Sequence, residues 1–191
     1  GEFHLPGGRM KVIARTPRLL LRELSEEDLG SLGGTLMDAE AMAALGGAMD
    51  REQALTWLRR QIGRYRTGEP ACWAVEERET GTPAGLAGFA RMPTPLGELH
   101  ELGYILRADR RGRGYASEAG RACLEYGFGT LGLPRACAMI RVGNAASERV
   151  ARRLGMRYVR EMEFRGAPHG LWLVSREDLS GRGCFSRETV L

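Results

Sequence analysis

The chain reads as one α/β domain, a mixed sheet with helices packed on its faces. Three observations predict it. Strand and helix signals follow in the order βααβββαβαββ, so meandering strands precede a strand–helix–strand–helix run. A doubly wound parallel sheet would alternate from the start. The length, 191 residues of which 43% are hydrophobic, supports one core of useful size and leaves no room for two large domains.

Residues Gly1 to Arg9 precede Met10 and read as a leader or vector-derived scar, outside the domain. Leu19 to Leu24 is a leucine-rich strand. Ser25 and Asp28, three apart, form a variant capping box, and the helix that follows breaks near Gly33 and Gly34. Asp50 and Gln53 form a second box. Its helix runs to about Arg66, with Ala54, Leu58, Ile62 and Tyr65 on one stripe. Cys72 to Glu77 and Leu86 to Met92 pair as a hairpin around Thr80-Gly81-Thr82. Pro93 to Gly97, with two prolines, is a loop, and His100 to Leu106 is the next strand. A basic glycine loop, Asp109 to Gly114, leads into a helix reaching about Thr130. Arg135 to Val142 is a strand. Asn144 caps a short helix that stops at Gly155. Tyr158 to Phe164 and Leu171 to Val174 complete the sheet. The domain thus spans residues 10–179, and residues 180–191, without periodicity, form a loose tail.

Composition excludes several classes. No window approaches 18 consecutive apolar residues, which excludes a transmembrane helix, and no signal architecture opens the chain. A cytoplasmic protein is the default. Cys72, Cys123, Cys137 and Cys184 are too far apart for C-x-x-C or zinc spacing, so free thiols and no metal are expected. The net charge of +4 is a weak electrostatic footprint. Lys11 is the only lysine, and the arginines spread along the chain instead of forming a patch. Nucleic acid is therefore not the expected partner.

The most informative segment is Arg111-Gly112-Arg113-Gly114-Tyr115-Ala116, which follows a strand and opens a helix. Two glycines let the backbone turn tightly and expose successive N–H groups. The unpaired N–H groups and positive dipole end of the helix face the same space, a ready site for a phosphate or pyrophosphate. Arg111 and Arg113 can add charge-assisted contacts. A P-loop is absent, and Ser117 stands where a dinucleotide fingerprint needs its third glycine. Along the helix, Ala116, Ala119, Gly120, Cys123 and Gly127 share one small-residue side that allows close approach to the sheet.

Glu101-Leu102-Gly103-Tyr104-Ile105-Leu106 followed by Arg111 to Ala119 resembles the acetyl-CoA-binding segment of the GNAT N-acetyltransferase superfamily. The motif [QR]-x-x-G-x-[GA] is matched by Arg111, Gly114 and Ala116. Asn144-Ala145-Ala146-Ser147, with Leu154-Gly155-Met156, resembles the ribosomal-protein-alanine (RimJ/RimL-like) branch, as does Thr16-Pro17-Arg18-Leu19-Leu20-Leu21-Arg22. Met156 stands where Phe is usual and Arg153 where Lys is frequent. The resemblance covers about residues 14–179. It implies a central, mostly antiparallel sheet splayed at the cofactor strand, with helices on both faces. It implies acetyl-CoA as cosubstrate. Arg111, Gly112, Arg113, Gly114, Tyr115 and Ala116 would hold the pyrophosphate, the backbone at Ile105 and Leu106 the pantetheine arm, with Asn144 and Ser147 nearby.

Acetyl transfer needs a held thioester, a neutral amine and a protonated leaving thiolate. A lysine amine is neutral in roughly one molecule in 2,000 at pH 7, an α-amine in about one in seven. An N-terminal acceptor therefore needs little help, and Glu101 is the candidate base; the alternative is a solvated charge at a strand start. Glu98 is a weaker candidate, and alternation turns His100 to the other face. By the resemblance Ser147 is the candidate acid, although it can simply satisfy local backbone groups. Asn144 can equally be only a helix cap. No cysteine is expected in the reaction zone, which favours direct attack in a ternary complex. The expected acceptor is a protein α-amine. A polyamine, amino acid or aminoglycoside is the runner-up, and a non-catalytic acyl-CoA-binding module the rival class. A monomer or homodimer is expected.

Overall fold

The computed structural model describes residues 10–180. Eight strands form one sheet: β1 (Val12–Arg15), β2 (Leu19–Arg22), β3 (Cys72–Glu77), β4 (Pro83–Thr94), β5 (Gly97–Leu106), β6 (Arg135–Arg141), β7 (Arg157–Phe164) and β8 (Ala167–Ser175). Their order is β1-β2-β3-β4-β5-β6-β8-β7. The helices are α1 (Asp28–Ser31), α2 (Gly33–Leu36), α3 (Ala39–Met42), α4 (Arg51–Thr67), α5 (Tyr115–Gly129), α6 (Ala145–Arg153) and α7 (Arg176–Ser180). Neighbouring strands are antiparallel except β5 and β6. That parallel pair holds register at a single position, Glu101 with Cys137. The C-terminal halves of the two strands have no ladder between them, so the sheet is splayed there.

Helices cover both faces. On one, α5 and α6 bury Ala119, Cys123, Leu124, Phe128 and Ala151 against Trp73, Val75, Phe89 and Leu102. On the other, Leu29, Leu36, Met42, Ala54 and Leu58 of α1–α4 pack on Ala74 and Leu86. The small side of α5 is required by contact distance. A Cβ at Gly127 would lie 2.8 Å from the Phe89 ring, and one at Gly120 would lie 3.0 Å from Leu154. Both are closer than packed carbon atoms tolerate.

The second capping box forms in full: the Asp50 carboxylate accepts from Gln53 N–H, and the Gln53 side chain accepts from Asp50 N–H. The first forms only by half. Asp28 accepts from Ser25 N–H at 2.8 Å, but α1 has no side-chain cap. The rest of the Asp28 carboxylate faces inward to Arg22, a buried pair at 2.8 and 2.9 Å that propensity rules do not foresee. Glu76 completes the cluster, 2.6 Å from the same guanidinium. Burial alone would favour discharging Arg22, but the hydrogen bonds to Asp28 and Glu76 outweigh it and hold its pKa above the ordinary value.

Other boundaries shift. The expected loop at Pro93 to Gly97 is instead a tight hairpin, because β4 and β5 stay paired through Pro93–Glu98 and Thr94–Gly97. The Thr94 hydroxyl closes it onto the Gly97 carbonyl at 2.7 Å. Glu101 therefore sits in mid-strand, not at a strand start. Strand β1 and helix α7 add elements not read from the sequence. The leader at Gly1 to Arg9, most of the tail, and Cys184 lie outside the described residues.

Candidate active site

The phosphate-type loop has the backbone its glycines predict. Gly112 (φ 73°) and Gly114 (φ 80°) both occupy the left-handed region, which a side chain would strain. Gly114 is the N-cap of α5 and offers no side chain to its first-turn N–H groups. The Ser117 hydroxyl, in that same turn, is buried without a protein partner. An anion seated at this helix start would meet orphan backbone donors and an orphan hydroxyl, so the residues fit a pyrophosphate.

Two carboxylates hold the loop from behind. Buried Glu77, at the end of β3, accepts from the Tyr115 hydroxyl at 2.9 Å and lies 3.2 Å from Arg110 Nε and 3.6 Å from Arg113 Nη1. The Tyr115 hydrogen bond leads the causes that depress its pKa, with Thr80, Arg110 and Arg113 adding to it against burial. Glu118 accepts from the Thr16 hydroxyl at 2.6 Å and from Arg18 Nε at 2.7 Å. Arg18 in turn donates to the Arg113 carbonyl at 2.8 Å and stacks on the Tyr115 ring. The Tyr115 side chain thus points into the fold, leaving only its backbone for a ligand. Arg111 reaches Glu40 of α3 at 3.0 Å, and Arg113 reaches the Asp109 carbonyl at 3.2 Å. With these side chains so paired, backbone N–H groups are the donors the loop presents.

Glu101 and Ser147 lie on opposite faces of β5, beside the opening between β5 and β6. Ser147 is in the first turn of α6, where its N–H donates to Asn144 Oδ1 at 3.1 Å, so Asn144 does cap the helix. Its hydroxyl accepts from Tyr104 at 3.4 Å. Tyr104 is three residues from Glu101 on a regular strand, hence on the other face. Burial raises the Tyr104 pKa, and the bond to Ser147 opposes this. Alternation puts Glu98 and His100 on the Tyr104 face. Burial lowers the His100 pKa.

Burial pushes the Glu101 carboxyl up to about 7, against the opposing charge of Arg165 in the β7–β8 turn. Across the parallel pair stands Cys137, fully buried. A cysteine therefore does lie in this zone, because the register of β6 depends on a contact the sequence does not encode locally. Burial first, and then the Glu101 charge, push its thiol up to about 12. Ile105 packs toward α1–α4 and Leu106 toward α5, leaving their backbone beside the opening. Tyr104 and Glu77 were not singled out from sequence. Alternation from Glu101 could have placed Tyr104 on the Ser147 face, whereas nothing local marks Glu77.

A sheet that parts beside a half-buried carboxylate, followed by a glycine loop at a helix start, defines a GNAT-type acyltransferase. The chain belongs to that family: the acetyltransferase (GNAT) domain model matches residues 18–157. The YkkB protein of Bacillus subtilis (strain 168) is 33% identical over 144 residues, covering 75% of this chain and 84% of its own. The N-acetyltransferase YoaA of the same organism is 28% identical over 148 residues, 75% and 81% of the two chains. RimL, a ribosomal L7/L12 alpha-N-protein acetyltransferase solved with coenzyme A, shares the fold at a TM-score of 0.73. It has 20% identity, covering 86% of this chain and 98% of its own. No helix among the described residues is long and apolar enough to cross a membrane.

Proposed function

We propose that this acetyltransferase uses acetyl-CoA to acetylate a protein N-terminal α-amine by direct attack within a ternary complex. The observation that carries the reading is Glu101, a half-buried carboxylate at the β5–β6 opening with a pKa of about 7. RimL, described as an alpha-N-protein acetyltransferase and solved with coenzyme A, supports it.

Acetyl-CoA supplies an activated thioester. The N–H groups from Gly112 to Ala116 and the Ser117 hydroxyl bind its pyrophosphate. Arg111 adds its charge on leaving Glu40, and Arg113 adds a second. The backbone at Ile105 and Leu106 takes the pantetheine arm, with Asn144 and Ser147 on the α6 side. Glu101 accepts the proton that the acceptor ammonium sheds. A base near 7 matches an α-amine near 7.8, whereas a lysine amine near 10.4 lies about three units away. On the other face, the Ser147 hydroxyl gives a proton to the departing sulfur and takes one back from Tyr104, whose hydroxyl donates to it and is itself reprotonated from solvent. Cys137, with its pKa near 12, holds about one thiolate in 10⁵ at pH 7, which disfavours an acyl-enzyme.

The test is thiol release from acetyl-CoA across N-terminal peptides, amino acids, polyamines and aminoglycosides. Release is expected with the peptides, and acetyl-CoA at about 100 times its Kd is expected to stabilise the fold by about 2.7 kcal/mol. Stabilisation without turnover on any amine would identify a binding module instead. Ser147→Ala is expected to lower kcat about 10-fold or more with the acetyl-CoA KM nearly unchanged. Unaltered kcat would remove Ser147 from the reaction.

A further inference from the structure

The face of the sheet that carries Glu101 is divided. Over β2 to β5 it is covered by α1–α4, and over β5 to β8 its apolar cluster is built, among the described residues, from strand residues alone. There Leu99, Cys137 and Leu171 are buried, while Met139, Met162 and Phe164 are only partly covered. The registers put all of them on the Glu101 face. An open apolar floor with two flexible thioether side chains therefore adjoins the base.

Glu101 apart, charge around that floor has one sign. Pairing places Arg141 opposite His169 and Arg160 opposite Leu171, on the same face, and Arg165 acts electrostatically on Glu101 from the adjoining turn. Among the described residues of β5 to β8, Glu101 is the only carboxylate on this face. Glu98, Glu161 and Glu163 fall on the alternate positions. On the helical side, the Asp38 carboxylate caps α3 and Glu40 pairs with Arg111.

We propose that the acceptor is a peptide N-terminus whose first side chain is large and apolar and whose next residues are acidic. The inference rests on the α-amine reading above. An α-amine held at Glu101 lies beside Cys137, two positions from Met139 on the same face, and Met162 and Phe164 continue that face on β7. The chain that follows runs over arginines, where carboxylates gain and ammonium groups lose. A polyamine or aminoglycoside would bring several ammonium groups to a face with one carboxylate.

The experiment measures kcat/KM for thiol release with peptides beginning Met-Glu-Glu, Ser-Glu-Glu and Met-Arg-Arg, and with spermidine. Met-Glu-Glu is expected to exceed Ser-Glu-Glu by about 10-fold, the worth of a buried side chain. It is expected to exceed Met-Arg-Arg by at least as much, a margin that shrinks in high salt. Arg160→Glu, on an exposed edge strand, is expected to erase or invert the preference for Glu over Arg while acetyl-CoA still raises Tm as in the wild type. Met162→Ala is expected to narrow the preference for Met over Ser. Equal rates for the three peptides, or preference for Met-Arg-Arg, would overturn the inference and leave α-amine acetylation standing. Spermidine as the best acceptor would overturn both, and leave acetyl transfer itself intact.

Discussion

Glu101→Gln is expected to lower kcat/KM by about 10²-fold or more and to remove one limb of its pH dependence. A general base contributes on the order of 10²–10⁴. The base works deprotonated, so wild-type kcat/KM should climb as pH rises through about 7, the value to which burial pushes this carboxyl. The Gln variant has to take acceptor that is already neutral, so for an α-amine its only rise should lie near 7.8. The same substitution reports on stability with the opposite sign. A carboxyl near 7 in the folded chain and at its ordinary 4.5 when unfolded makes the native state bind the extra proton between those values. Native stability therefore falls as pH rises from about 4.5 to 7 and stays lowered above it. Glu101→Gln should raise Tm above pH 7, by an amount equivalent to about 3 kcal/mol, and lose the advantage below pH 4.5. Rates from pH 5.5 to 9 and melting curves from pH 4 to 8 test both halves. An unchanged pH–rate profile would move the base elsewhere, and a pH-independent Tm difference would show that Glu101 titrates normally.

The largest loss of stability is expected from Arg22→Met. Arg22 and Asp28 are 7% and 5% exposed, and the substitution leaves the Asp28 carboxylate buried with only the Ser25 N–H. Breaking one side of such a pair costs about 3–5 kcal/mol, which at this size lowers Tm by roughly 10 °C. Arg22→Met with Asp28→Leu should recover part of the loss, since no charge is then stranded at Asp28. Arg59→Ala, which breaks a pair with side chains 59% and 55% exposed, should leave Tm unchanged within error. The contrast matters for the site. Helix α1 has no cap of its own, and the Arg22–Asp28 pair ties it to β2 on the Glu101 face of the sheet. A melting shift no larger than that of Arg59→Ala would show the cluster to be dispensable.

How much was legible follows from the range of each interaction. The Asp50 box, the glycine loop and the small side of α5 are local patterns: three-residue spacings, left-handed backbone, a 3.6-residue stripe. They could be read because the chain enforces them within one or two turns. The Pro93–Gly97 segment misled because its prolines signal a loop, whereas pairing with the whole length of β5 keeps the strand going to Thr94. Asp28 misled because a capping carboxylate and a buried counter-ion look alike until Arg22 comes from the neighbouring strand.

By itself, the sequence determined the mixed sheet, the order of its main elements and the loop that opens α5, together with the residues by which the chain resembles its family. Only the tertiary structure decided that β5 and β6 touch at one pair and then part, and that Cys137 stands across from Glu101. It alone placed Tyr104 against Ser147 and Glu77 behind the loop, and gathered arginines around the apolar floor. Strand pairing joins residues tens of positions apart, and a carboxylate's pKa depends on what those residues exclude: no local pattern records how much water a side chain loses when the sheet closes around it.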